Sequence, residues 1–360
     1  MPKLIRTSLL CSPILALAAT ASAAPPYGEG SVLAPIGAQA IACAGQPTCN
    51  GGFPEGVLVL GNRVYVTGPA NFGTAGKGPS VITVLARSNG HVIDEIQLQG
   101  EQTAYEHALS GIATDGSGDI FVLSTQLGVT RIERHGDSYV QSPYAPPLPD
   151  LHPCWTGAPP CSPTPVDLPP LPNEMTFDDA GNLYITDSLQ ATIFKVPAGG
   201  GSIAPWFSSP LFAGDLAAPL PFGTNGIDLS PDGEALYVVE SFDPTGNFAS
   251  HVYRVPLANP SANLFATFTG GVVADSLAFG ASGNLYVSLA GSSQIAVLDG
   301  LGHEVTRLGG PAGSTIPLDN PAGLAFDDAR RSLLVANHAI FGDPAHFAVL
   351  RIFVDDRAAE

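Results

Sequence analysis

Residues 225–238 read Asn-Gly-Ile-Asp-Leu-Ser-Pro-Asp-Gly-Glu-Ala-Leu-Tyr-Val. Apolar and polar residues alternate before the Ser-Pro-Asp-Gly turn, and an apolar run follows it. Asp-Gly accepts positive φ at little cost, so the stretch reads as a β-hairpin. The phrase recurs from Glu55 (EGVLVLGNRVYV), Ser110 (SGIATDGSGDIFV), Asn173 (NEMTFDDAGNLYI), Asp275 (DSLAFGASGNLYV) and Ala322 (AGLAFDDARRSLLV). Lead positions 55, 110, 173, 225, 275 and 322 recur about every fifty residues, the spacing of a radial or solenoidal array. Further strand-like runs follow the hairpins, among them Val81–Ala86, Ile193–Val196, His251–Pro256, Gln294–Leu298 and Phe347–Val354. Two more strands per hairpin make a four-stranded blade. The predicted fold is therefore all-β, a closed six-bladed β-propeller. No stretch sustains a 3.6-residue period, so helices should be few.

In such a blade the hairpin's first strand lies innermost, and its lead residue sits at one mouth of the central tunnel. The lead residues are Glu55, Ser110, Asn173, Asn225, Asp275 and Ala322. Four of them, Glu55, Asn173, Asn225 and Asp275, offer oxygens that would converge on the axis. Ca²⁺ takes about six to eight oxygen ligands from carboxylates, amides and water. Two carboxylates neutralise a dication, and two amides add donors without charge. The small Ser110 and Ala322 leave space for a ligand, and open coordination distinguishes a catalytic ion from a structural one. The expected cofactor is one divalent ion, Ca²⁺ foremost, with Mn²⁺, Zn²⁺ or Mg²⁺ compatible with the same donors. The competing reading is that polar lead residues cap strand ends or solvate the tunnel.

The 360-residue chain has 32 acidic and 14 basic side chains and a formal charge of −18. That balance repels phosphate backbones and excludes nucleic acid as a partner. Residues 1–23 have the form of a secretory signal: Lys3 and Arg6, an apolar run from Leu9 to Ala19, then Ala21-Ser22-Ala23. The run is too short, and too interrupted by Pro13, to span a membrane. The expected location is secreted or periplasmic, with no membrane attachment. Cleavage leaves Cys43, Cys49, Cys154 and Cys161. The local pairings Cys43–Cys49 and Cys154–Cys161 need the least loop closure; the other pairings, or thiol–metal binding, are the alternatives.

Residues 24–52 form an N-terminal segment ahead of the propeller at 53–360. The last blade is one strand short, and a segment around Ser31–Ala42 is expected to complete it. The longest interval, between Ser110 and Asn173, holds a proline-rich insertion at 141–171, QSPYAPPLPDLHPCWTGAPPCSPTPVDLPPL. Proline keeps such a segment extended. It reads either as a lid or specificity wall, with Trp155 and Tyr144 as apolar contacts, or as a plain surface loop.

The order Glu55-Gly56, Asn173, Asn225-Gly226, Asp275 resembles the family of senescence marker protein, gluconolactonase and luciferin-regenerating enzyme. It is also similar to the paraoxonase and diisopropyl fluorophosphatase propellers. The resemblance covers roughly Phe53 to Val354, and its specificity lies in those four residues. It implies a six-bladed propeller with one divalent ion at the tunnel mouth and lactone- or ester-hydrolysing activity. Two positions depart from the family's pattern. Asp275 is followed by Ser276, and Asn173 by Glu174, where a glycine-like pattern and a nearby substrate-binding arginine would be expected.

The leading functional reading is an exported metal-dependent hydrolase, a lactonase or related esterase acting on a small molecule. The ion would polarise the carbonyl, and Asp275 would activate water. His338 and His107 are further catalytic candidates, each with a structural alternative. Ser110 with His107 makes no hydrolase triad, because no Gly-x-Ser-x-Gly elbow surrounds it. Asp178, Asp179, Asp232, Asp327 and Asp328 belong to turns. Asp187 and Glu240 end second strands at equivalent positions and are candidates for orienting neighbours. The alternatives from other classes are a non-catalytic ligand- or protein-binding propeller of the NHL-repeat kind and a strictosidine-synthase-like propeller. Oligomeric state is not legible in the chain.

Overall fold

The second strand of each repeat is apolar on both faces, and that pattern requires a cover on both sides. The computed structural model, which describes residues 24–36, 53–70, 72–218 and 220–359, supplies the cover by stacking sheets around an axis. Blade 6 begins with the N-terminal strand β1 (Gly30–Pro35). Blade 1 is β2 (Val57–Leu60), β3 (Arg63–Gly68), β4 (Val81–Ala86) and β5 (Val92–Gln97). Blade 2 is β6 (Leu109–Ala113), β7 (Ile120–Ser124), β8 (Gly128–His135) and β9 (Ser138–Ala145). Blade 3 is β10 (Pro172–Phe177), β11 (Leu183–Asp187), β12 (Thr192–Val196) and β13 (Ala204–Ser208). Blade 4 is β14 (Thr224–Leu229), β15 (Ala235–Glu240), β16 (Ser250–Pro256) and β17 (Asn263–Phe268). Blade 5 is β18 (Ala274–Phe279), β19 (Leu285–Leu289), β20 (Gln294–Leu298) and β21 (Glu304–Leu308). Blade 6 is completed by β22 (Pro321–Asp327), β23 (Ser332–Asn337) and β24 (Ala348–Phe353).

The six sheets are four-stranded, and all their pairings are antiparallel. Strand β1 pairs with β24, so one blade holds both ends of the propeller's chain, and the ring closes through backbone hydrogen bonds. Residues 37–42 of the segment expected there lie outside the described residues, as do the signal-like residues 1–23, Cys43 and Cys49. Helical structure among the described residues consists of short 3₁₀ turns, and none is long and apolar enough to cross a membrane.

The core is a set of layers between neighbouring blades. One cluster joins Tyr237 and Val239 of blade 4 to Leu277 and Val287 of blade 5. Equivalent clusters join the other neighbours, including blade 6 to blade 1 through Leu334, Val349, Val64 and Leu85. Second strands β7, β11, β15, β19 and β23 are buried along their whole length, whereas outer strands such as β21 are largely exposed.

The inner strands β2, β6, β10, β14, β18 and β22 contact one another around the axis. The close approach explains the glycine after the lead residue. A Cβ on Gly226 would lie 2.6 Å from Ser276 Cα and 2.7 Å from Asp275 O. One on Gly323 would lie 2.4 Å from Glu55 O, across the joint between blades 6 and 1. There Gly323 N donates to Glu55 O at 3.0 Å.

The insertion starts later than its composition suggests, because residues 138–145 form β9 despite Pro143. Proline is tolerated there because β9 is an edge strand. The rest is anchored: Leu148 and Leu151 join the core between blades 2 and 3, and Cys154 and Cys161 form a disulfide. Gln190 holds it by accepting from Leu151 N at 2.6 Å and donating to Pro149 O at 3.1 Å. Tyr144 packs against Phe121 and Phe177 in the core, and Trp155 is exposed. Neither lines the central cavity; the insertion contributes only Pro170 and Leu171 to its wall.

Gly226→Ala should lower the denaturation midpoint by the equivalent of about 1–3 kcal/mol, the usual cost of overpacking. An unchanged midpoint would show that the inner strands separate freely at this point.

Candidate functional site

Five of the inner strands carry a register shift at their start, between Leu109 and Ile112, Pro172 and Met175, Thr224 and Ile227, Ala274 and Leu277, and Pro321 and Leu324. The two unpaired residues in each case are the lead residue and its successor. A bulge re-aims a side chain that regular alternation would point elsewhere. Glu55, Ser110, Asn173, Asn225 and Asp275 line one cavity of about 270 Å³ at this mouth, together with His338 and His107. Ala322 is fully buried and contributes no donor.

Two amides are fixed with their oxygens toward the cavity. Ser188 Oγ donates to Thr224 O at 2.8 Å, so it must accept from Asn173 Nδ2, 3.1 Å away. Ser241 Oγ donates to Ala274 O at 2.8 Å and accepts from Asn225 Nδ2 at 3.0 Å. The hydroxyl proton is committed to a backbone carbonyl in both cases, so the amide nitrogen faces the serine. Asn225 Oδ1 is left buried without a hydrogen-bond partner. These serines were not singled out from the sequence. The available signal was their shared place, directly after Asp187 and Glu240 at the ends of second strands.

Glu55 Oε2 and His338 Nδ1 form a buried ion pair at 2.5 Å, and His338 Nε2 has no hydrogen-bond partner. Burial pushes Asp275 up to about 8, and the charge of Glu55 pushes the same way; His338 and Asn225 partly oppose this. For His338, burial opposes the proton, but Glu55 and then Asp275 outweigh it and raise its pKa. Orphaned buried oxygens and repelling carboxylates are what a bound cation would resolve. The donor chemistry of Glu55, Asn173, Asn225 and Asp275 therefore fits a divalent ion. Among the described residues, no three His, Cys, Asp or Glu side chains are grouped closely enough to hold an ion by themselves. The two amide oxygens are thus needed to complete the set.

The two departures from the family pattern form one contact. Ser276 Oγ lies 3.0 Å from both Glu174 oxygens, and Ile227 N donates to Glu174 Oε2 at 3.3 Å. The missing Cβ of Gly226, between them, makes the room. Burial pushes Glu174 up to about 8, with Asp275, Glu55 and Asp228 adding to the rise and Ser276 opposing it. His107 is committed elsewhere. Its ring nitrogens lie 2.9 Å from Tyr105 O and 2.9 Å from Gly78 O, so both are engaged by backbone carbonyls.

The cavity walls are apolar: Phe72, Leu171, Leu220, Phe222, Phe242 and Phe341 surround the polar floor. The described lining residues include no lysine or arginine. Glu106 fixes the loop beside Phe72 by accepting from Gly73 N at 2.9 Å and Thr74 N at 3.0 Å. Asn320 Oδ1 fixes the adjoining part of the rim, on blade 6, by accepting from Phe341 N at 3.0 Å. Sequence reading missed this rim because its residues come from loops of different blades.

No known family profile matches the chain, and no curated protein matches it. Solved structures do. A calcium-binding protein, regucalcin from Agrobacterium tumefaciens str. C58, superposes with a TM-score of 0.56 at 18% identity, covering 85% of this chain and 91% of that one. Luciferin-regenerating enzyme superposes with a TM-score of 0.54 at 14% identity, covering 88% and 95%. A catalytically inactive variant of virginiamycin B lyase from Staphylococcus aureus, with quinupristin, gives 0.50 at 16% identity, covering 90% and 99%. At these identities the likeness is one of fold, the six-bladed propeller that the sequence resembles.

Burial also raises two acids near the site, Asp228 to about 6 and Glu240 to about 7; hydrogen bonds from Phe279 N to Asp228 and from His251 to Glu240 oppose the rise. Both folded-state values exceed the unfolded ones. Their stabilising contribution is therefore complete below about pH 4 and is lost as pH rises through about 6 and then 7. With a chelator present, the thermal midpoint should fall across this window, and Asp228→Asn should flatten its lower part. A midpoint that rises with pH there contradicts the assignment.

Proposed function

We propose that the protein is an exported, divalent-metal-dependent hydrolase of uncharged, apolar lactones or esters. One observation carries this reading: an apolar-walled cavity without a described lysine or arginine has a floor of Glu55, Asn173, Asn225 and Asp275. A divalent ion held by these four residues supplies a Lewis acid for a carbonyl oxygen and for the negative charge that develops on it. Asn173 and Asn225, locked by Ser188 and Ser241, present their oxygens without rearrangement. Asp275 accepts a proton from water as the water oxygen bonds to the carbonyl carbon. The carbonyl-carbon–oxygen ester bond then breaks, and the leaving alkoxide takes that proton. Phe72, Phe222, Phe242 and Phe341 pack an acyl chain or ring and keep water away from it. No described lysine or arginine lines the cavity to pair with an anion, so a phosphorylated or carboxylate substrate is disfavoured. The fold is shared with regucalcin, luciferin-regenerating enzyme and virginiamycin B lyase, so small-molecule chemistry at this mouth suits it, although fold alone assigns no reaction. Export is supported by the signal-like residues 1–23 and the Cys154–Cys161 disulfide.

The test is a hydrolysis panel of alkanoyl lactones and aryl esters, run beside gluconolactone and its 6-phosphate, before and after chelation. Turnover should rise with acyl chain length and vanish on chelation. Asp275→Asn should lower kcat by about 100-fold or more while the protein stays folded. A folded protein with no bound ion and no turnover on any substrate would move the reading to a non-catalytic binding propeller.

A further inference from the structure

The end of the molecule away from the cavity carries a charge cluster of its own. Asp327 stands at the cap position of the 3₁₀ turn Asp328–Arg330, yet its side chain makes no capping hydrogen bond. Its carboxylate is fully buried and faces three guanidiniums instead. Arg87 Nε lies 3.5 Å from Oδ1, and Arg330 Nη1 and Arg351 Nη2 lie 3.6 Å and 3.3 Å from Oδ2. Arg87 directly follows β4 of blade 1, and the other two belong to blade 6, so the cluster spans the joint at which the ring closes. The neighbouring acids are engaged elsewhere: Asp355 pairs with Arg331 at 3.0 Å, and Asp328 accepts from Ala358 N at 2.9 Å. Among the described residues no further carboxylate pairs with Arg87, Arg330 or Arg351. Three guanidiniums against one carboxylate leave two positive charges in excess, in a chain of formal charge −18. The donors outnumber the local acceptors as well. Arg351 Nη2 donates to Arg87 O at 2.8 Å and Arg330 Nη2 to Ser88 O at 3.0 Å, but Arg351 Nε is buried without a partner. Burial and then the charge of Arg330 lower the Arg351 pKa; Asp327 opposes this and Arg87 adds to it. The side chains of Arg330 and Arg87 are 38% and 25% exposed, so solvent reaches the cluster from their side.

We propose that Arg87, Arg330 and Arg351 bind one phosphate group, as inorganic phosphate or as a phosphate monoester, at the joint between blades 6 and 1. A phosphate monoester carries a charge of about −1.5 to −2 near neutral pH, which matches the excess. Its oxygens accept from several guanidiniums at once, and the planar arginine fork suits that geometry. Asp327 holds the three arginines together from the buried side. Strand β22 runs from Pro321 at the mouth to Asp327, so the site lies at the opposite end of the inner strands from Glu55 and Asp275. It does not depend on the metal reading of the mouth. Its arginines come from the first and last blades, so a bound phosphate ties the ring shut and stabilises the fold by mass action.

The decisive experiment is calorimetric titration of the protein with inorganic phosphate and with phenyl phosphate, before and after chelation. Wild type should bind one equivalent whether or not the chelator is present. Arg330→Ala and Arg87→Ala should each weaken binding by about 10-fold or more, the loss expected for hydrogen bonds to a charged group. The thermal midpoint should climb with phosphate concentration in wild type and much less in either variant. Tighter binding of phenyl phosphate supports the site with a monoester as its ligand; tighter binding of inorganic phosphate supports it with the free ion. Wild type that takes up neither overturns the proposal. Binding that vanishes on chelation also overturns it, because the phosphate then sits on an ion at the mouth. An equal climb of the midpoint in wild type and variants is the general effect of phosphate on protein surfaces, and it overturns the site as well.

Discussion

The structure depends on six inner strands meeting at one axis with little room between them. Where the crowding is greatest the chain carries glycine: Gly226 faces the backbone of Ser276, and Gly323 faces the carbonyl of Glu55. Hydroxyl groups on the second strands then tie blade to blade. Thr186 Oγ1 donates to Asn225 O at 2.6 Å, and Thr67 Oγ1 donates to Ser110 O. These bonds fix the backbone of two lead residues from the neighbouring blade. The geometry of the mouth is therefore a property of the closed ring and cannot be assigned to any single repeat.

Closing the ring brings like charges together. Glu55 and Asp275 lie on blades on either side of blade 6 and interact across the mouth, and Glu174 sits close enough to both to feel them. In a low-dielectric tunnel such groups raise one another's pKa unless a cation or a proton intervenes. The electrostatic demand for a positive charge at the mouth, the orphaned Asn225 oxygen and the unpartnered Nε2 of His338 are three consequences of one arrangement. The apolar rim surrounds these groups with side chains that offer them no charge partner.

Fold and site were legible to different depths. Strand alternation, turn residues and a fifty-residue recurrence are local features, so the six hairpins could be read off the chain. The four oxygen-bearing lead residues were readable for the same reason, since each occupies one place in a repeated phrase. The proline-rich insertion was not readable: Tyr144 became core, Trp155 became surface, and only Pro170 and Leu171 reached the cavity. Its course depends on anchoring by Gln190 of the next blade, which no local pattern announces.

By itself the sequence determined the class of fold, the number of blades and which side chains begin the inner strands, because these follow from periodicity and position within a repeat. Tertiary structure alone decided what those side chains do to one another. It showed that Ser188 and Ser241 set the asparagine amides and that Glu174 and Ser276 answer each other across the tunnel. It also placed His338 against Glu55, although 283 residues separate them in the chain. The physical reason is ring closure: groups on different blades meet only when the last blade returns to the first, and contacts of that range have no signature in any stretch of sequence.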